Sequence, residues 1–171
     1  MARPTIGYIA LACYVSTIVA ANAAIGTFGL VPVGLGLLAP AGVYFAGLAF
    51  VLRDILQDTL GRRWTLGAIA AGALLSGLLD PALAIASGGA FLLSELADMV
   101  VYTPLRRRSW LWAALASSTV GLAVDSVLFL WLAFGSLDFL AGQIVGKVWV
   151  TLLCVVIWGL VRGQRRAEVA R

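Results

Sequence analysis

"GLAFVLRDILQDTLGRR" (residues 47–63) begins as an apolar helical sequence and then contains three charged residues within two turns, Arg53, Asp54 and Asp58. Residues four apart share a helix face, so Arg53 lies with Gln57 and Asp54 lies with Asp58. A soluble protein would turn such a face to water. Whether this helix has that option depends on the rest of the chain.

The composition of the chain is that of a membrane protein. Of its 171 residues 62% are hydrophobic and 12% are charged, against about 25% charged residues in soluble domains. Six apolar stretches of bilayer-spanning length divide the sequence; they are 5–26, 40–60, 64–86, 88–105, 110–134 and 139–161. We therefore predict an all-α membrane protein, a single polytopic bundle of six transmembrane helices over 1–162, with a short basic cytoplasmic tail at 163–171. Asp80-Pro81 either kinks the third helix or forms the turn after it, and the count stays at six in both cases.

The basic residues predict the orientation of these helices. Ten of the twelve flank the apolar stretches: Arg3, Arg62, Arg63, Arg106, Arg107, Arg108, Arg162, Arg165, Arg166 and Arg171. With the N-terminus in the cytoplasm, all ten fall on the cytoplasmic side of a six-helix protein, as the positive-inside rule requires. We expect a multi-pass protein of the cell (inner) membrane with both termini cytoplasmic. Its partners are then the lipid bilayer and anionic headgroups, with no nucleic acid.

Two glycine-containing segments leave alternatives open. The apolar, glycine-rich connection 27–39 is either a loop on the membrane surface or a re-entrant flap that closes the outer mouth of the bundle. Gly142 and Gly146 form a G-x-x-x-G pair, which favours close helix packing. That packing is expected within the monomer, and a homodimer remains the alternative.

Seven charged side chains fall inside the predicted spans: Arg53, Asp54, Asp58, Glu95, Asp98, Asp125 and Lys147. One ionised group at mid-bilayer costs roughly 2.5–3.5 kcal/mol, so seven facing lipid would cost on the order of 20 kcal/mol. They are therefore expected to converge inside the bundle, together with the polar side chains of Asn22 and Gln143. Arg53 and Lys147 can form internal ion pairs there. Because five acids face two bases, at least two carboxyl groups must be protonated, hydrated or turned to a ligand.

Several functional classes are excluded or disfavoured. The chain has no histidine, which excludes histidine-based catalytic or metal sites, and it has no phosphate-binding G-x-x-x-x-G-K-[ST] loop. Cys13 and Cys154 lie in apolar spans and are interpreted as small hydrophobic residues. An aspartate-dyad enzyme lacks supporting motifs, and a channel does not explain the unpaired acids. We expect no enzyme activity, no cofactor and no metal.

Four polar motifs within apolar spans carry a family resemblance. "LRDILQDTLG", "SELADMVVYTPLRRR", "TVGLAVDSVLFLWLAFG" and "GQIVGKVWVTLL" resemble, in this order, the vitamin uptake transporter family, whose best-understood members are queuosine precursor transporters. The resemblance implies import of 7-deazaguanine bases. It also implies that the family's site positions fall on Asn22, Asp54, Glu95, Asp98, Asp125 and Lys147. Glu95 departs from members that carry glutamine there, which adds a charge.

The chemistry of a deazaguanine fits such a site. Its N–H and exocyclic NH₂ on one edge match the two oxygens of a carboxylate, for which Glu95, Asp98 and Asp125 are the candidates. Lys147 or Gln143 is then the expected donor to the carbonyl of the base. Aromatic residues at the right depth to stack on its ring are Phe91, Tyr102, Phe129 and Trp149.

The sequence thus predicts a membrane transporter that imports a small planar nucleobase, bound near mid-membrane by carboxylates and a lysine. Arg53 and Asp58 are assigned to an intramembrane ion pair or a gate. The alternative function is a substrate-binding membrane subunit of a vitamin or nucleobase importer that needs a separate ATPase module.

Overall fold

The computed structural model describes residues 3–79 and 84–169, and almost all of them are helical. The helices are α1 (Arg3–Phe28), α2 (Val43–Thr59), α3 (Arg62–Leu79), α4 (Ala84–Leu105), α5 (Trp110–Phe134) and α6 (Leu140–Val169). The six predicted helices are therefore confirmed over this part of the chain. Three of these helices contain a segment that is long and apolar enough to cross a membrane. The segments are Pro4–Phe28, Trp110–Phe134 and Leu140–Val161.

The helix ends follow local sequence signals. Gly61 has a φ of 88° and joins α2 to α3, and the Ser109 side chain caps α5 by accepting a hydrogen bond from the Trp112 backbone N–H at 3.4 Å. Gly135 ends α5 with a φ of 65°, a conformation that glycine adopts without strain.

Several predicted boundaries differ from the structure. Helix α2 begins at Val43 instead of residue 40, α3 ends at Leu79 instead of near residue 86, and α4 begins at Ala84 instead of residue 88. Helix α6 continues through 163–169, which is most of the predicted tail. Asp80-Pro81 lies outside the described residues.

Small residues let the helices pack closely. The most extensive contact joins α4 and α5, followed by α1 with α2, α3 with α4, and α2 with α6. The buried face of α5 is lined by Ala113, Ala114, Ser117, Ser118 and Gly121. Large apolar side chains such as Trp131, Leu153 and Leu160 point outward, as expected for surfaces that face lipid.

The segment predicted as a loop or flap is a β-hairpin. Strands β1 (Leu30–Gly34) and β2 (Leu37–Pro40) pair antiparallel. Leu35 and Gly36 form the two-residue turn between them with φ values of 54° and 71°, the positive values that favoured hairpin turns require. Within the hairpin, Val33 and Ala39 are buried.

The hairpin packs on the glycine face of α6. A methyl group at Gly142 would collide with the backbone carbonyl of Leu38, and one at Gly146 would lie 2.8 Å from a methyl group of Val43 and 3.1 Å from one of Val33. The G-x-x-x-G pair therefore serves close packing within the chain, as predicted. Its partners are the hairpin and the first residue of α2, where a helix was expected.

Candidate functional site

The two ends of the bundle differ in chemistry. The hairpin end holds the hairpin, the start of α2 and the connection from α5 to α6. The basic end is where α2 joins α3 and α4 joins α5, and Arg62, Arg63 and the arginines at 106–108 lie there. The polar residues predicted inside the bundle form separate groups between these ends.

A pocket lies in the half of the bundle next to the hairpin end. It holds about 570 Å³ of empty space, counting its open mouth. Its polar lining comes from several helices: Thr17, Asn22, Ser76, Asp125 and Gln143. Its aromatic lining is Phe45, Phe91 and Phe129. Apolar walls with a few convergent polar groups are typical of small-molecule sites.

Asp125 is the acidic residue of this pocket, and it is held from two sides. Lys147 Nζ lies 2.6 Å from Asp125 Oδ2 and donates a second hydrogen bond to Ser126 Oγ at 2.8 Å. On the other side, Ser94 Oγ lies 3.5 Å from Asp125 Oδ1 and 3.0 Å from the backbone carbonyl of Phe91, and it can donate to either. Lys147 is wholly buried behind the pocket wall, whereas the Asp125 side chain keeps 15% of its surface exposed. The carboxylate is therefore fixed and still accessible to a ligand.

Two carboxamides accompany Asp125 in the lining. Asn22 Nδ2 donates to the backbone carbonyl of Ile18 within α1 at 2.9 Å. Gln143 is 3% exposed, and its Oε1 has no hydrogen-bond partner. A buried acceptor without a partner costs free energy unless water or a ligand donates to it. Gln143 thus offers an acceptor to an N–H of a ligand.

A second polar group, the arginine cluster, consists of Arg53, Asp54, Glu95 and Asp98. Arg53 Nη1 lies 2.8 Å from Asp54 Oδ1, Nε lies 3.2 Å from Glu95 Oε2, and Nη2 pairs with Asp98 Oδ1. None of the four side chains is more than 1% exposed. Three carboxyl groups therefore share one guanidinium out of contact with solvent.

Neighbouring aromatic and small residues enclose the arginine cluster. Tyr14 of α1 packs against Phe91 of the pocket lining with ring centroids 6.0 Å apart, and its hydroxyl group lies near Glu95. On α5, Gly121 leaves room for Asp98, since a methyl group there would lie 2.9 Å from Asp98 Cβ. The Tyr14–Phe91 pair thus lies between the pocket and the cluster.

A third group lies toward the basic end. Arg106 Nε pairs with Asp58 Oδ1 at 3.2 Å, and Arg106 Nη1 donates to the backbone carbonyl of Gln57 at 3.3 Å. The ring of Tyr102 lies 5.6 Å from the Arg53 guanidinium and 5.9 Å from that of Arg106. Arg53 and Asp58 therefore belong to different ion-pair groups, joined by this ring.

The predicted site residues are thus divided by the structure. Those that line the pocket are Asn22, Asp125 and Gln143, with Lys147 behind them; those in the arginine cluster are Arg53, Asp54, Glu95 and Asp98. Of the expected stacking residues, Phe91 and Phe129 line the pocket. Tyr102 lies against the arginines, and Trp149 is 58% exposed.

One partner was missed at the sequence level. Arg106 was interpreted only as an orientation signal, yet it supplies the cation for Asp58. The signal was available, because Asp58 and Arg106 both end helices on the same side of the bundle. The charge count changes accordingly: the surplus of acids over bases is confined to the arginine cluster, where three carboxyl groups face one guanidinium.

Comparisons with known proteins identify the family. A family model described as "Putative vitamin uptake transporter" matches residues 76–161. This match covers half of the chain and includes Glu95, Asp98, Asp125, Gln143 and Lys147. No curated protein and no solved structure matches the chain. With three helical segments apolar enough to cross a membrane and this match over half its length, the chain belongs to the vitamin uptake transporter family of membrane proteins.

Proposed function

We propose that this protein imports a small planar nucleobase, a 7-deazaguanine precursor of queuosine, across the cell membrane. The observation that carries the proposal is the pocket, in which a fixed carboxylate, two carboxamides and phenyl rings from different helices surround one space. A transporter in this family needs such a site to recognise its cargo.

Hydrogen bonding matches the pocket to a deazaguanine. Both oxygens of Asp125 can accept from the N–H and NH₂ on one edge of the base, a bidentate arrangement that favours this edge over others. Gln143 Oε1, which has no partner inside the protein, accepts from a further N–H. Since Lys147 balances the charge of Asp125, the pocket suits an uncharged ligand.

Aromatic rings supply the shape of the site. Phe91 of α4 and Phe129 of α5 line the same pocket. A flat bicyclic ring packs well against such side chains in offset or edge-on arrangements. A pocket with these two rings therefore favours a planar heterocycle over a flexible chain.

Membrane crossing by all six helices is part of the proposal. Helices α2 and α4 carry most of the buried charges, and these charges meet partners within the bundle, so neither helix has to expose them to lipid. The arginines of the basic end would lie in the cytoplasm, as would both termini. The pocket then faces outward.

Transport follows by alternating access. The pocket lies at the hairpin end. Between the pocket and the basic end, the bundle is filled by three layers: the Tyr14–Phe91 pair, the arginine cluster and the Asp58–Arg106 pair. Import requires these layers to separate while the pocket mouth closes. The ion pairs are the natural contacts to break, because they join α2 to α4.

Uptake of labelled 7-deazaguanine bases in cells that lack their own importer tests the function. We expect uptake with the natural chain, and at least a tenfold loss for Asp125→Asn, because an amide loses one of the two acceptors (about 1.4 kcal/mol for each factor of ten). Asp138→Asn is the matched control, since Asp138 is exposed on the α5–α6 connection. No uptake above background, with the protein present in the membrane, would contradict the proposal.

An assay in liposomes distinguishes this function from the alternative one. Purified protein in liposomes, without any other subunit, should exchange external labelled base for internal unlabelled base. Exchange that appears only when an ATP-hydrolysing module is added would identify the chain as a substrate-binding subunit.

A further inference from the structure

The charges of the arginine cluster do not balance. Asp54, Glu95 and Asp98 each face a different nitrogen of Arg53, and the guanidinium is completely enclosed. Fully ionised, the cluster would carry a net charge of −2, from three negative charges and one positive charge. An ion out of contact with water costs several kcal/mol unless a partner compensates it.

Neighbouring groups do not supply the missing positive charge. Facing the cluster are Tyr14 from α1, Tyr102 from α4 and Ser117 from α5, all of them neutral. The nearest other cations in the described chain already have acidic partners, since Lys147 pairs with Asp125 and Arg106 pairs with Asp58. The surplus of two carboxyl groups is therefore not cancelled by any described side chain.

Protons are the simplest way to remove this surplus. The guanidinium occupies the space between the three carboxyl groups, and no group of three or more acidic or cysteine side chains among the described residues is arranged to hold a metal ion. Asp54 is completely buried, and its Oδ2 has no hydrogen-bond partner. A proton on a carboxyl group removes its charge and turns one oxygen into a donor.

The arginine cluster is linked to the pocket through adjacent residues of α4. The Ser94 hydroxyl lies 3.0 Å from the backbone carbonyl of Phe91 and 3.5 Å from Asp125 Oδ1 in the pocket, and it can donate to either. The next residue, Glu95, accepts a hydrogen bond from Arg53. A base that engages Asp125 therefore acts on the helix turn that positions Glu95. Binding at one site and protonation at the other would then influence each other.

We propose that the arginine cluster is a proton-binding site that couples import of the base to proton entry. This inference rests on the proposed function. A proton from the hairpin side adds to a carboxyl oxygen of the cluster, and the same proton leaves to the cytoplasm once Arg53 separates from its partners during the inward movement. No other bond changes, and the proton gradient supplies the driving force for accumulation.

The first test uses purified protein in liposomes and labelled 7-deazaguanine. Exchange of labelled for unlabelled base, without a pH gradient, establishes that transport occurs. A gradient that is acidic on the hairpin side should then raise net uptake at least tenfold, and a protonophore should remove the increase. Exchange with no effect of the gradient overturns proton coupling and leaves the proposed function intact. Absence of exchange overturns both.

Glu95→Gln is the diagnostic variant, with Asp138→Asn as the control. In Glu95→Gln the ratio of gradient-driven uptake to exchange should fall toward one, whatever the absolute exchange rate. In Asp138→Asn that ratio should match the natural chain. Asp54→Asn removes a second carboxyl group of the cluster, one with an unpartnered oxygen, and an unchanged ratio in both Glu95→Gln and Asp54→Asn contradicts the assignment of the proton to this cluster.

Infrared spectroscopy tests proton occupancy without transport. Purified protein at neutral pH should show the carbonyl stretch of a protonated, buried carboxylic acid. That band should weaken in Glu95→Gln or Asp54→Asn and persist in Asp138→Asn. A spectrum of the natural chain without the band would overturn the inference.

Discussion

Gly121 sets how closely α5 can approach the arginine cluster. A methyl group at this position would lie 2.9 Å from both Asp98 Cβ and Phe50 Cε1, and 3.2 Å from Asp98 Oδ2. The residue has no unusual backbone angle, so the reason for glycine here is space. Asp98 can reach Arg53 because α5 presents a hydrogen atom in place of a side chain.

Replacing Gly121 with alanine should therefore displace Asp98. Overpacking of this kind typically costs about 1–3 kcal/mol, so the melting temperature in detergent should fall, and base exchange should fall with it. Gly67→Ala is the matched control: Gly67 also lies within a helix, and nothing lies within 4 Å of an added methyl group. Equal melting temperatures for the two variants would show that the close approach of α5 is unimportant.

Residue-level prediction succeeded for burial and for the internal ion pairs of Arg53 and Lys147, but it did not identify which acids each base would meet. The cost of charge in a bilayer predicted that Arg53, Asp54, Glu95, Asp98 and Lys147 point inward, and all five are buried. Spacing along one helix shows which residues share a face, but it does not show which neighbouring helix that face meets. For this reason the separation of Asp125 from the arginine cluster was not predicted.

Among the secondary-structure elements, the β-hairpin is the one that the sequence did not predict. Pro32 and Pro40 argue against strands, and the segment lacks an alternating polar pattern because its exposed positions are apolar as well as its buried ones. An isolated two-stranded hairpin is marginally stable. This one is supported by α6 and by a hydrogen bond of 2.9 Å from the Tyr44 hydroxyl to the backbone carbonyl of Pro32.

The packing of the hairpin on α6 gives a prediction about assembly. Gly142→Ala should push Leu38 away and lower the melting temperature, while the mass of the protein in detergent, measured by light scattering, should stay the same. Gly159→Ala, also on α6 with nothing within 4 Å of the added methyl group, should change neither property. A change of mass in Gly142→Ala alone would place a homodimer contact at this glycine instead.

At the scale of the whole molecule, the six helices were predictable because each apolar run in the sequence is about as long as a bilayer-spanning helix requires. The pocket was not, because it is formed by residues from all six helices and its volume depends on their packing angles. The family resemblance identified residues at both polar groups, yet it did not distinguish pocket from cluster.

Whole-molecule orientation has a direct test. After Cys13 and Cys154 are replaced by serine, Leu35→Cys at the hairpin turn, where Leu35 is 81% exposed, should react with a membrane-impermeant thiol reagent added to intact cells. Arg107→Cys, at the exposed α4–α5 connection, should react only after the membrane is opened. Labelling of both positions from the same side would contradict six crossings.

Helix α6 extends well past its apolar part. Its 30 residues span about 45 Å at 1.5 Å per residue, whereas the hydrocarbon core is about 30 Å thick. If α6 crosses the bilayer with its apolar part, its last turns project beyond the hydrocarbon core. A rigid helical protein joined to Val169 as a continuous helix would then give this 17.9 kDa chain a bulky marker for particle alignment in electron cryomicroscopy. The hairpin end, where the pocket lies, would stay unobstructed.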